Sequence, residues 1–108
     1  MKVSQITFSP TGGTDKVAEV ITKAWGTPAV KIDLSDAKTD YSLINLQKDD
    51  IAIIAVPSYG GRVPGLAVQR ILKLHGNQTP CVIVCVYGNR AYEDTLVELN
   101  DVAEKSGF

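Results

Sequence analysis
The sequence predicts an α/β fold: a parallel sheet with helices on both faces. Three observations carry that reading. Strand-like and helix-like segments alternate along the chain, which implies right-handed βαβ crossovers with helices on both sheet faces. Two runs, IAIIAVP (51–57) and CVIVCVY (81–87), are continuously apolar, the mark of strands buried on both faces. Three strand-like segments each lead into a loop rich in glycine or hydroxyl residues, at 9–14, 57–65 and 87–91. In an open parallel sheet such loops gather at the carboxyl ends of the strands, where ligands bind.

Residues 2–8 alternate and end on Phe8, a strand. In 14–25, Val17, Val20, Ile21 and Ala24 recur at helical spacing, with Trp25 beside that seam. Gly26 stops this helix and Pro28 follows. AVKIDL (29–34) alternates as a second strand. Residues 35–50 are polar and irregular, with one short helical turn near 43–46 and a solvated acidic loop at 47–50. After the strand 51–57, residues 65–76 place Leu66, Val68, Ile71, Leu72 and Leu74 on a helix that ends at Gly76. His75, the only histidine, then stands at a helix end, where a cation suits the dipole. After the strand 81–87, residues 91–108 read as an amphipathic helix. It turns Leu96, Leu99, Val102 and Ala103 inward, carries Glu93 and Asp94 in its first turn and closes at Gly107.

The chain has 108 residues, 44% hydrophobic and 21% charged, with no repeat and no linker, so 1–108 is expected to be one domain. A net charge of −1 gives no push toward nucleic acid or acidic lipid. No 18-residue apolar run is present, and the start MKVSQITFSPTGG lacks a signal-peptide pattern, so a cytoplasmic protein is expected. Cys81 and Cys85 fall on one side of a strand about 13 Å apart, too far for a mutual disulfide or one metal. They are expected to be buried core thiols. An intermolecular disulfide stays open if that strand lies at an edge. No catalytic constellation and no iron–sulfur cysteine run is seen.

The first loop, SPTGGT (9–14), stands between a strand and a helix. A helix start has unpaired N–H groups and a positive dipole end, which suits a phosphate. Gly12 and Gly13 let the backbone curl close to an anion, and Ser9, Thr11 and Thr14 can add hydroxyl donors. The spacing fits neither a Walker loop nor the dinucleotide fingerprint, and its short form suits a terminal monophosphate. The alternative is a plain helix cap by Thr11 or Thr14. The second loop offers Ser58, Tyr59, Gly60, Gly61 and Arg62; the third offers Tyr87, Gly88, Asn89, Arg90 and Tyr92. A flat heteroaromatic ligand would fit between them, with tyrosines stacking on it.

On the segments ITFSPTGGTDKVA, VPSYGGRVPGLAVQRI and VYGNRAYEDTLVEL, the chain resembles flavodoxin. It is most similar to the N-terminal flavodoxin-like domain of bacterial proteins that fuse it to a ferredoxin-type iron–sulfur domain. The resemblance implies FMN as cofactor and electron transfer as activity, with a redox partner protein that could be an iron–sulfur domain or ferredoxin. It implies that Ser9, Thr11, Gly12, Gly13 and Thr14 hold the ribityl phosphate. Residues 58–62 then flank one side of the flavin, and residues 87–90 with Tyr92 flank the other. The resemblance also implies a flavodoxin-like three-layer sandwich with a parallel sheet in order 2-1-3-4-(5); a complete domain of that kind has five strands, whereas this chain supplies four, without the fifth strand and last helix. The run 81–87 then becomes an exposed edge, which implies either a longer parent chain or a homodimer covering that flank. Two other readings are a cofactor-free flavodoxin-fold interaction module and an FMN-dependent NAD(P)H or quinone reductase.

Overall fold
The computed structural model describes residues 2–10, 12–26, 29–59, 62–86 and 92–108. Four strands, β1 (Val3–Thr7), β2 (Ala29–Asp33), β3 (Ile51–Pro57) and β4 (Cys81–Val86), form one sheet in the order β2-β1-β3-β4. All three pairings are parallel: β1 runs from Val3↔Ala29 to Thr7↔Asp33 against β2, and from Val3↔Ile51 to Thr7↔Ala55 against β3. β4 pairs only with β3, from Ala52↔Cys81 to Pro57↔Val86, and so closes the sheet at an edge. The helices are α1 (Gly13–Ala24), α2 (Gly65–Ile71) and α3 (Tyr92–Lys105). This is the 2-1-3-4 order expected of a flavodoxin-like sandwich. No described helix is long and apolar enough to cross a membrane.

Strand alternation divides the molecule into two unequal layers of packing. On one face Ile6, Phe8, Ile32, Leu34, Ile54 and Val56 meet Ala67 and Ile71 of α2 and Leu99, Val102 and Ala103 of α3. That face is the apolar core. On the other face α1 lies over β1 and β3, and its buried residues are Thr14, Ala18 and Thr22. The seam of Val17, Val20, Ile21 and Ala24 expected from the spacing is therefore not the packed one: Val20 is 70% exposed, and of the four only Ile21 is half-buried. The reason lies in the sheet, which presents Gln5 and Thr7 to α1, so the helix answers with hydroxyls rather than branched alkyls.

β3 is buried on both faces, as its unbroken apolar run predicts. β4 is not, because it has a neighbour on one side only. Its residues are half-buried or, at Val82, 41% exposed, and both cysteines are half-buried rather than core thiols.

α2 is shorter than the apolar spacing suggests. It stops at Ile71, whose carbonyl oxygen accepts the Ser106 hydroxyl at 2.6 Å; Ser106 also reaches the Leu74 carbonyl at 2.9 Å. Ser106, just after α3, thus satisfies the last carbonyl of α2 and one in the turn that follows it, in place of further helical bonds. The chain then turns through Asn77 and Gln78, both at positive φ, with the Gly76 amide donating to the Ser106 carbonyl at 2.9 Å. His75 is consequently no helix end. It forms a parallel bridge with Asn45, and its ring Nε2 lies 3.0 Å from the Ser42 carbonyl. The short helical turn falls at Tyr41–Leu43, slightly before its expected place, and is capped by the Asp40 carboxylate. Asp50 is buried and accepts from the Lys2 amide at 3.0 Å, so the acidic loop is not wholly solvated.

Candidate functional site
The parallel sheet sends the segments after β1, β3 and β4 to one end. Of these, the β1–α1 loop is the most completely described. The chain leaves β1 at Thr7, and the Phe8 amide still donates to the Ala55 carbonyl of β3. It then turns so that the Gly12 amide donates to the Ser9 carbonyl at 3.2 Å. Gly12 has φ 89°, the left-handed region, where a side chain would be strained. It is the residue before the first turn of α1 and has no side chain with which to cap it.

The side-chain cap comes instead from Ser9. Its Oγ accepts the amide of Asp15, the third helical residue, at 2.9 Å. The expected alternative cap, Thr14, lies inside the first turn and is buried. The amides of Gly13 and Thr14 find no acceptor among the described residues. A Cβ at Gly12 or Gly13 would meet nothing within 4 Å, so open space adjoins this backbone. Because Ser9 Oγ is used as an acceptor, its proton stays available to a ligand. Ser9, Gly12, Gly13 and Thr14 are thus brought together; Thr11 lies outside the described residues.

Beside the loop an open cleft is lined by Thr7, Ser9, Gly12, Asp15, Lys31 and Asp33. The Asp15 carboxylate is turned against β1, where Oδ1 accepts from Gln5 Nε2 at 2.9 Å and from Thr7 Oγ1 at 3.3 Å. Lys31 Nζ stands 3.8 Å from Asp15 Oδ2 and hydrogen-bonds to Glu19. That contact lowers the Glu19 carboxyl and raises the Lys31 ammonium from their ordinary values. Asp33 is engaged by the amide and hydroxyl of Ser35.

The β3–α2 segment is braced from α3. Ser58 Oγ and Thr95 Oγ1 share a hydrogen bond of 2.7 Å, and the Ser58 amide donates to the Val86 carbonyl. Tyr59 and Arg62 form a small antiparallel bridge with amide-to-carbonyl distances of 2.9 and 3.1 Å. The Arg62 guanidinium grips Glu98 with two bonds, 3.1 Å from Nε and 2.8 Å from Nη2. The Val63 amide donates to the same carboxylate at 2.8 Å. Arg62 and this amide hold the Glu98 carboxyl below its ordinary value, although burial works the other way. Ser58 and Arg62 are therefore committed to α3, whereas Tyr59 is 53% exposed. Gly60, Gly61, Tyr87, Gly88, Asn89 and Arg90 lie outside the described residues, as does the Tyr92 side chain.

Residue-level reading of the sequence missed Gln5, Thr7, Asp15 and Glu98. A signal for the first two was present: Gln5 and Thr7 form a polar stripe at period 2 in a strand whose other face carries Ile6 and Phe8. Glu98 has no comparable signal, because its partners Arg62 and Val63 are distant in sequence. Comparison with family models, with curated proteins and with solved structures finds no match to this chain.

Proposed function
We propose that the chain is a cytoplasmic FMN-binding electron-transfer domain of the flavodoxin type. One observation carries the reading: the amides of Gly13 and Thr14 and the hydroxyl proton of Ser9, none with an acceptor among the described residues, beside left-handed Gly12. They stand at the carboxyl end of β1, where strand order reverses between β2 and β3. A terminal phosphate fits this group. It would accept from the two amides and from Ser9, and the helix dipole would favour its charge. Gly12 and Gly13 leave room for its oxygens, since no Cβ occupies that space.

Bound FMN supplies one-electron exchange, and the protein contributes grip, orientation and electrostatics. Tyr59, half exposed at the same sheet end, offers a ring face for stacking. Arg62 supplies little free charge, because Glu98 neutralises it. The reading assigns Tyr87, Gly88, Asn89, Arg90 and Tyr92 to the second side of the flavin, and a redox protein as partner.

The test is a titration of the protein with FMN, followed by quenching of flavin fluorescence. One FMN per chain is expected, with riboflavin, which lacks the phosphate, much weaker. An absence of FMN binding refutes the reading, and equal affinity for riboflavin refutes the phosphate grip. The exposed β4 edge favours one second reading, a cofactor-free module for protein–protein contact, including contact with a second copy. A protein that binds no FMN yet self-associates through β4 in light scattering selects it.

A further inference from the structure
Gln5 is 1% exposed, beneath α1. Both ends of its amide are used. Nε2 donates to Asp15 Oδ1 at 2.9 Å, and Oε1 accepts from Thr22 Oγ1 at 3.1 Å. The relay therefore runs from the last turn of α1, through the strand, back to the first turn of the same helix. A buried hydrogen bond adds little net stability over a well-packed apolar pair. What the amide does that a leucine cannot is fix where the Asp15 carboxylate points.

That direction matters because of where Asp15 sits. It is the third residue of α1, and an acidic side chain there can swing back toward the helix's own free amides, as in a capping box. It also lines the cleft shared with Ser9 and Gly12. Released from β1, this carboxylate would be an internal anion at the amides that a phosphate needs. Held by Gln5 and Thr7, it faces the strand and leaves those amides open.

We infer that Gln5 is a positioning residue that sets the anion affinity of the β1–α1 loop by holding the Asp15 carboxylate out of it. The inference rests on the phosphate-site reading given above. A freed charge within a few ångströms of a bound phosphate weakens binding by about tenfold or more.

The experiment compares wild type, Gln5→Leu, Asp15→Asn and the double variant. Each is titrated with FMN by fluorescence, and with inorganic phosphate by the amide shifts of Gly13 and Thr14; thermal unfolding is recorded alongside. Gln5→Leu is expected to lose about tenfold in affinity for both ligands, while Asp15→Asn binds at least as tightly as wild type. The double variant is expected to bind within threefold of Asp15→Asn although its melting temperature stays lowered. That recovery separates a charge held aside from a merely structural role. Unchanged affinity in Gln5→Leu overturns the inference, as does a double variant as weak as the single. If Gln5→Leu does not fold, Gln5→Met, which also lacks the amide, takes its place with the same outcomes. A wild type that fails with FMN but responds to phosphate sinks the flavin reading alone and leaves the phosphate series to decide Gln5. A wild type that responds to neither overturns both.

Discussion
Gly76 gives a sharp test of how the end of α3 is seated. A Cβ built on it would lie 2.6 Å from the Gly107 carbonyl carbon, 2.6 Å from the Phe108 amide nitrogen and 2.9 Å from the Ser106 carbonyl oxygen. These are backbone atoms, so no side-chain rotation relieves the clash. In Gly76→Ala the end of α3 must shift away. The shift strains the Gly76 amide bond to the Ser106 carbonyl and the Gln78 amide bond to the Gly107 carbonyl, at 2.9 and 2.7 Å. Overpacking of this kind costs about 1–3 kcal/mol, and each weakened hydrogen bond up to about 1 kcal/mol more. A loss of about 3 kcal/mol is expected. With roughly 2.1 cal/mol/K of unfolding entropy per residue, that lowers the melting temperature by about 13 °C. Thermal unfolding of the ligand-free protein, by circular dichroism or calorimetry, measures it. Gly65→Ala is the control: no atom lies within 4 Å of its Cβ, and it opens α2 at an ordinary φ. That variant is expected to gain about 0.4–1 kcal/mol through the unfolded chain. A Gly76→Ala protein that melts within 2 °C of wild type refutes the reasoning.

Glu98 and Arg62 should respond unequally. Glu98→Ala strips the buried Val63 amide of its acceptor and is expected to cost about 1–3 kcal/mol, whereas Arg62→Ala removes an exposed charge and costs less. Equal losses in denaturant titrations would contradict this. The Arg62 guanidinium and the Val63 amide depress the Glu98 carboxyl in the folded state. Its contribution is therefore complete above the unfolded value of about 4.3 and is lost as pH falls through the lower folded value. Melting temperatures recorded from pH 6 to pH 3 should fall more steeply for wild type than for Glu98→Gln. Burial pushes the Cys81 thiol up to about 12 and raises that of Cys85 as well. A thiol reagent at pH 7.5 should therefore label the native protein far more slowly than the unfolded chain, with Cys81 last by mass spectrometry. Rapid labelling of Cys81 would count against its seating beside the core.

The fold was legible because sheet position leaves a one-dimensional trace. Continuous apolar residues in 51–57 identify a strand covered on both faces, and the strand–helix alternation dictates parallel pairing. The same rule over-reads 81–87, since an apolar run states what a strand can bury and not how many neighbours it has. The packed face of α1 was illegible for a related reason. Counting aliphatic residues selects Val17 and Val20, but the sheet beneath is polar at Gln5, and a hydroxyl face of Thr14 and Thr22 matches it. Of the candidate site, the glycines and hydroxyls after β1 were visible from their placement between strand and helix. Asp15, which borders the same loop, was not, because its role depends on a glutamine across the sheet interface.

The first strand of the chain is also the keystone of the sheet, flanked by β2 and β3. Even Lys2 is built in: its carbonyl accepts the Ile51 amide at 2.9 Å and its own amide donates to Asp50. β1 precedes both of its neighbours in the chain, so its pairings wait first for β2 and then for β3. All strand pairing in this sheet is non-local, so assembly is expected to be slow compared with a hairpin protein of equal size. Removing residues 1–8 would take out the middle of the sheet and leave β2 and β3 without the strand that joins them.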